Sequence, residues 1–454
     1  MWLEIRDPLR EENWQEVEKA ALRILEKTGM LVGHAEVLSA LAGRGGVHVA
    51  GQIVRLEPKL VREHLGAFRG TTDYDTHMIS GAYSHQYLDP ETNETRRPTL
   101  NDLIKSVRQA NALGEGVCAP VVPFDVPGPR QELVMERITH ENARLSYGGG
   151  QATTAAAAEA SMEMSAVVHR PHELELWVNS PLNMDPTGLD ILQKLRSRRP
   201  RVRVTNMPVR GLSAPISLAA ILAQTVAECL GAATILHLAG IAGAISFRID
   251  AFWGYAIDMR STNVLICGPD YLRLAMLSIF LGRRYGVEKP MAKALLTSSK
   301  LPDEQAAAEK AAQALAVALA GADTFLAAGT LAGVETFSPV QMIVDHEIMR
   351  WLDAFCRPLD FSADDFLLSV IDEVGPGGLF TDHISTVQRY RDVFWKPKLF
   401  SLNSYPAWEA EGRPQLLERA RDLLNALKLP DEPIVSQEQQ RELARIEERL
   451  AATL

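Results

Sequence analysis

Residues 291–329 read MAKALLTSSKLPDEQAAAEKAAQALAVALAGADTFLAAG, and they hold one complete repeat of the architecture. The run MAKALLT (291–297) is apolar and of strand length. Pro302, Asp303 and Glu304 then mark a helix start, since proline suits the first turn and acids complement its positive end. The alanine-rich stretch Asp303–Ala320 is the helix, and DTFLAAG (323–329) is the next strand. Strand, loop, helix, strand is the unit of a parallel sheet. Lys300 falls in the loop after the first strand, where α/β proteins tend to place their chemistry. Taken alone it also reads as a surface charge paired with Asp303.

The rhythm continues outward. Short apolar runs occur at 116–122 (GVCAPVV), 144–149 (RLSYGG), 174–179 (LELWVN), 202–206 (VRVTN), 233–240 (ATILHLAG) and 261–268 (STNVLICG), the last equally readable as a loop. Helices are predicted at Glu132–Asn142, Ala155–Val168, Gly188–Ser197, Ala214–Leu230, Asp270–Arg284 and Pro339–Ala354. About eight repeats predict an α/β fold, either a TIM (β/α)8 barrel or a doubly wound sheet. The barrel is favoured because the length suits one with additions and no glycine-rich dinucleotide fingerprint opens the first unit. It is expected over residues 99–395. Residues 1–98 form an N-terminal α/β addition, in which Val17, Ala20, Ala21, Ile24 and Leu25 give the helix Glu11–Lys27 its apolar stripe. Residues 396–454 form a C-terminal helical extension ending in the charged amphipathic stretch SQEQQRELARIEERLAATL (436–454). That helix suits an outer or subunit contact, so a homo-oligomer is expected.

A chain of 454 residues, 46% hydrophobic and 23% charged, buries a sizeable core without difficulty. A formal charge of −10 and no run of lysines and arginines argue against nucleic acid. Cys118, Cys229, Cys267 and Cys356 lie far apart, as suits a reduced, cytoplasmic protein, and no CxxC or HExxH spacing offers a metal site. The N-terminus has acids where a signal peptide would have a basic region and an apolar core. The uncharged segment Cys229–Phe247 is nearly long enough to span a bilayer, but His237 and Gly231, Gly240 and Gly243 interrupt it. It reads as a buried helix end followed by a core strand, and no membrane partner is expected.

Blocks along nearly the whole chain carry a resemblance. EVEKAALRILEKTGMLVGHAEVLSALAGRG (16–45), RRPTLNDLIKSVRQANAL (96–113), APVVPFDVP (119–127), NSPLN (179–183) and MPVRGLSAPISLAAILAQTVAECLG (207–231) come first. DMRS (258–261), SKLPDEQAAAEKA (299–311), ALAGADTFLAAG (318–329), VDHEI (344–348), VGPGGLF (374–380), RYRDVFWKPKLF (389–400) and YPAWEAEGRP (405–414) follow. In order and spacing these resemble the trimethylamine methyltransferase family, whose members move a methyl group from an amine or quaternary amine to the cobalt of a small corrinoid protein. The resemblance implies a TIM barrel with no tightly bound cofactor, the corrinoid (cobalamin) being presented by a partner protein. Ser298, Ala332 and Ser385 depart from the family pattern, and His383 is the imidazole nearest Thr386. The sequence has no non-standard letter where the best-known members carry pyrrolysine, so it resembles the pyrrolysine-free branch related to glycine betaine methyltransferases.

A quaternary ammonium leaves as a neutral amine, so the protein's task is to bind the cation and aim one methyl. Phe252, Trp253 and Tyr255 are candidate cage residues, with core packing as the competing reading. Arg260, or Arg248, is a candidate clamp for a betaine carboxylate; Asp258 and Arg260 could equally form a structural ion pair. With the resemblance, Lys300 is a candidate to contact a substrate carboxylate or to lock its loop by pairing with Asp303, the locking role being favoured. His346, oriented by Asp345 and Glu347, and His383 complete the substrate candidates. Gly375, Gly377 and Gly378 are candidates for close approach of the corrinoid partner, or simply for a turn. Two other functions stay open: a non-catalytic barrel that captures quaternary amines, and the same transferase class acting on a methylated sulfur compound.

Overall fold

The computed structural model describes residues 5–67, 77–146, 152–249, 255–359 and 362–453. Its parallel strands are β1 (Met78–Ser80), β2 (Gly116–Val117), β3 (Leu174–Asn179), β4 (Arg201–Asn206), β5 (Ala244–Phe247), β6 (Met291–Ala292) and β7 (Thr324–Ala328). They form two arrays. One runs β6–β7–β1–β2 and is extended by a single parallel bridge from Val117 to Ser146. The other runs β3–β4–β5. Strands are neighbours in sequence order and the last, β7, returns to the first, so the sheet curls round as a half-barrel. Among the described residues no hydrogen-bonded ladder joins β5 to β6.

One expectation shifts and one open reading is decided. The segment ATILHLAG lies within the long helix Leu218–Ala239, which runs until Gly240 takes the left-handed conformation at φ 69°, and the strand is the following AISF. STNVLICG is mostly loop; only Val264–Leu265 pairs, antiparallel, with Tyr255–Ile257. β1, which precedes residue 99, lies between β7 and β2 in the sheet.

The helix Glu11–Lys27 has the bounds its pattern implied, because Trp14, Val17, Ala21, Leu22 and Leu25 line one buried face. It packs on Leu218–Ala239 across Gly231, where a Cβ would come within 2.6 Å of the Leu25 side chain. The strand Met30–Val32 pairs with Asn183–Met184, stitching the N-terminal part to the sheet. Leu218–Ala239 is long and apolar enough to cross a membrane, but 83% of its apolar window is buried against these elements.

The helices Glu304–Leu319 and Pro339–Phe355 are tied by a fully buried ion pair, Lys310 Nζ to Asp345 Oδ2 at 2.6 Å. Asp345 also accepts the Gly329 N–H at 2.7 Å and the Gln341 amide at 2.8 Å, so one carboxylate fixes two helices and the end of β7. Leu416–Ala426 packs on Pro339–Phe355 through Ala420, Leu424, Val340, Ile343 and Ile348. The last helix, Gln437–Ala451, packs on Gln131–Asn142 and Ala155–Val167. Between these two anchored parts the chain makes an arm. Its helices Leu368–Val374, Ile384–Val393 and Tyr405–Ala410 bury none of their residues. Glu347 Oε1 accepts the backbone N–H groups of Lys398 and Leu399 where the chain returns.

Candidate functional site

Parallel strands covered on both faces usually read as continuous apolar runs. β3 and β4 do not. In LELWVN and RVRVTN the apolar side chains Leu174, Leu176, Val178, Val202 and Val204 alternate with Glu175, Trp177, Arg203 and Thr205. Side chains along a strand point to opposite faces in turn, and the apolar set packs in one core with Leu222, Val226, Leu230 and Ile235 of the helix Leu218–Ala239. The alternate set therefore points away from that helix, into the concave side of the curled sheet.

Register aligns this polar face. Glu175 is opposite Arg203, which is opposite Ser246; Trp177 is opposite Thr205. Arg203 is 4% exposed, pairs with Glu173 and lies 3.5 Å from Glu175. Two residues beyond Ser246 comes Arg248, 2% exposed, whose Nη1 meets the Met291 sulfur at 2.7 Å. Lys293, 4% exposed and two residues after Met291, brings a second buried cation to the same region. The Thr205 hydroxyl is shielded from water with no hydrogen-bond partner among the described residues. It is one of several buried polar atoms so placed, and it stands on the same face as Trp177, opposite it in register. At the rim, Glu228 holds the loop after β3 to the end of β4. It accepts from Ser180 Oγ, the Leu182 N–H, Asn206 Nδ2 and Gln224 Nε2 at 2.6–2.9 Å. Burial raises its carboxyl above the usual range against those four donors.

The residues singled out from sequence divide. Phe252 and Trp253 lie outside the described residues. Tyr255 is core: it is 4% exposed and stacks on Tyr271 with centroids 5.6 Å apart. Asp258 and Arg260 form a turn in which Asp258 accepts the Arg260 N–H and the Ser261 hydroxyl and lies 3.5 Å from the Arg260 Nε, the ion pair weighed above, and the Arg260 side chain is 94% exposed. Arg248, the other clamp candidate, is the buried one. Lys300 does not pair with Asp303. Its Nζ donates to the Ser298 carbonyl at 2.7 Å, because Asp303 is already engaged as the helix cap, accepting from the Ala306 N–H and the Ser299 hydroxyl. His346 is oriented by Glu115, Nδ1 to Oε1 at 3.0 Å, and not by its sequence neighbours. Asp345 faces Lys310, and Glu347 faces Arg350 and the returning backbone. His383 caps the helix Ile384–Val393 and bonds Ser385 and Glu373, out on the exposed arm. Gly375 and Gly377 adopt φ 67° and 79° with open space around them, which is turn geometry in this chain.

Sequence reasoning missed Glu175, Trp177, Arg203 and Lys293. The signal was present in β3 and β4: charges at alternate positions of strands whose neighbours demand burial on both sides.

A second buried polar group lies before β3. Glu136 accepts from Ser161 at 2.7 Å and contacts His140 at 3.0 Å, and Arg170 reaches Ser146. Burial pushes the adjacent His172 imidazole down to about 4, although Glu136 and Glu173 favour its charged form; His140 and Arg203 oppose it. Below pH 6.5 the unfolded chain takes up a proton that the folded chain refuses until about pH 4, so stability falls as pH falls through that window. The expected loss between pH 7 and pH 4.5 is about 2 kcal/mol. Urea unfolding at pH 7 and pH 4.5 measures it, and His172→Asn should flatten the difference; an unchanged slope in the variant would assign the acid sensitivity elsewhere.

A sequence model of the trimethylamine methyltransferase (MTTB) family matches residues 3–452 of the chain. A glycine betaine methyltransferase from Desulfitobacterium hafniense strain Y51 is 26% identical over 436 residues, 89% of this chain and 88% of that protein. The trimethylamine methyltransferase MttB of D. hafniense strain DSM 10664 is 23% identical over 431 residues, 89% and 86% of the two chains. Among solved structures, the monomethylamine methyltransferase MtmB of Methanosarcina barkeri aligns over 93% of this chain and 89% of its own, at 12% identity and a TM-score of 0.44.

Proposed function

The chain belongs to the trimethylamine methyltransferase family, and from that premise we propose that it transfers a methyl group from a small quaternary amine bearing a carboxylate to the reduced cobalt of a corrinoid carried by a separate protein. On this reading the half-barrel closes as a (β/α)8 barrel and the reaction is cytoplasmic. The observation that carries the proposal is the polar concave face of β3, β4 and β5, where Trp177 stands opposite Thr205 and the buried Arg248 touches Met291, two residues before the buried Lys293. Trp177 offers its ring to the ammonium, and a desolvated cation over an indole gains about 2 kcal/mol. Arg248 and Lys293, both shielded from water, receive the carboxylate. Held at both ends, the substrate can present one N-methyl outward. The C–N bond would break with its electron pair staying on nitrogen, releasing a tertiary amine, and the reduced cobalt(I) would supply the pair for the new bond to the methyl carbon, being oxidised by two electrons to cobalt(III). No proton has to move, so the chain supplies position and water exclusion.

Titration calorimetry with glycine betaine, proline betaine, carnitine, choline and tetramethylammonium tests the site. Saturable binding of a carboxylate-bearing member is expected, weakened about 30-fold in Trp177→Ala and retained largely in Trp177→Phe. Binding indifferent to both substitutions would remove Trp177 from the site. Failure of every compound to bind, or to methylate an added reduced corrinoid protein, would overturn the proposal.

A further inference from the structure

We propose that Thr205 is a specificity-determining residue, which selects among betaines a donor carrying a hydroxyl on the carbon chain between its ammonium and its carboxylate. This rests on the reading of the concave face given above and adds to it what the middle of the substrate must be.

Three residues share one row of the curled sheet. Trp177 of β3 is the direct partner of Thr205 on β4. Val204 is paired with Phe247 of β5, and the Arg248 N–H donates to the Val204 carbonyl at 2.8 Å, so the parallel ladder continues by one residue and sets Arg248 beside Thr205. All three face the concave side, because each lies two residues beyond one of Glu175, Arg203 and Ser246, which are themselves opposite one another. Neighbouring strands lie about 4.8 Å apart, so the backbones bearing the indole and the guanidinium are about 10 Å apart with Thr205 midway. A donor whose ammonium meets Trp177 and whose carboxylate meets Arg248 must pass over Thr205. A γ-ammonio acid has a linker of that reach, and its β-carbon falls at the middle.

Thr205 is fully buried, and its hydroxyl has no hydrogen-bond partner among the described residues. Ser106, Thr139, Thr225 and Thr234 also have shielded hydroxyls without a partner, but they lie within helices, where a small rotation reaches the carbonyl one turn back. A strand offers no such carbonyl, since its own lie in the plane of the ladder and the side chain stands perpendicular to it. The neighbours in the row do not help either: an indole and a guanidinium are donors only, and neither can accept the Thr205 proton. A hydroxyl on the β-carbon of the substrate accepts it. A methylene in that place leaves the Thr205 group buried and unmatched, which is how a polar site rejects the analogue that lacks its partner.

Titration calorimetry of the full chain with carnitine and γ-butyrobetaine, which differ only in that hydroxyl, tests this. The wild type is expected to bind carnitine at least about tenfold more tightly. Thr205→Val keeps the shape and removes the hydroxyl, and it should bring the two ligands within about twofold by weakening carnitine alone. Thr205→Ser should restore most of the preference. Tetramethylammonium, which reaches only Trp177, should bind all three proteins alike and so reports that the variants are folded. No preference in the wild type, or one that survives Thr205→Val, would overturn the proposal. Equal weakening of both ligands would overturn it as well, since that is the mark of a bound water or of packing. Binding of glycine betaine without either longer compound would overturn it and leave the donor reading standing; if no quaternary amine binds, the two fall together.

Discussion

Lys310→Met should lower the unfolding free energy by about 3–5 kcal/mol, the range expected when one partner of a buried ion pair is removed and the other is left without its counter-charge. Lys310 and Asp345 are both fully buried. Burial by itself drives Asp345 up and Lys310 down, toward neutrality, and their 2.6 Å contact is what opposes it. Without the ammonium, Asp345 keeps only the Gly329 N–H and the Gln341 amide. Adding Asp345→Leu to Lys310→Met should recover part of the loss and no more. Removing both charges relieves the stranded carboxylate, but the Gly329 N–H then loses its acceptor, worth about 1–3 kcal/mol. Urea unfolding of the four proteins of this cycle measures both effects. A single variant within about 1 kcal/mol of wild type would mean that the pair contributes nothing net to the fold.

Arg248→Ala should separate the donors by chemistry. For a betaine carboxylate held by a buried guanidinium, truncation costs about 2–5 kcal/mol, a fall of at least roughly 30-fold in affinity or in kcat/KM. For tetramethylammonium, which has no carboxylate, the change should stay within about twofold. Arg248→Lys should rescue the betaine incompletely, because an ammonium keeps the charge and loses the fork. Calorimetry with the two ligands on three proteins reads the difference. Equal losses for both ligands would show that Arg248 supports the architecture of the face and does not meet a carboxylate.

The sequence was legible where local signals agreed with burial. Glu11–Lys27 and the helix following Pro302 have the bounds that stripe and cap required, to within a residue. It misled where a strand-like run lay inside a helix: Ala233, Thr234 and Ile235 continue Leu218–Ala239 because every side of that segment is covered, so no polar face marks its period. Aromatic residues near Asp258 drew attention as a cage, yet Tyr255 spends its ring on Tyr271. Lys300 was visible as a loop lysine, but its partner was decided by competition, since Asp303 had closer donors in its own cap. Arg248 was named for its type and is buried, whereas Glu175, Trp177 and the equally buried Arg203 needed the register of β3 against β4 before their shared face appeared.

The arm begins where Pro339–Phe355 ends and returns to that same helix, where Glu347 grips the backbone at Lys398 and Leu399. It is thus a handle fixed at both ends to one beam, and not a tail. A break in its middle would leave neither piece adrift, because residues 398–453 hold to the body through Glu347, Leu424 and the last helix without help from the covalent chain. A cut or an insertion in the arm is therefore expected to leave the rest of the chain folded.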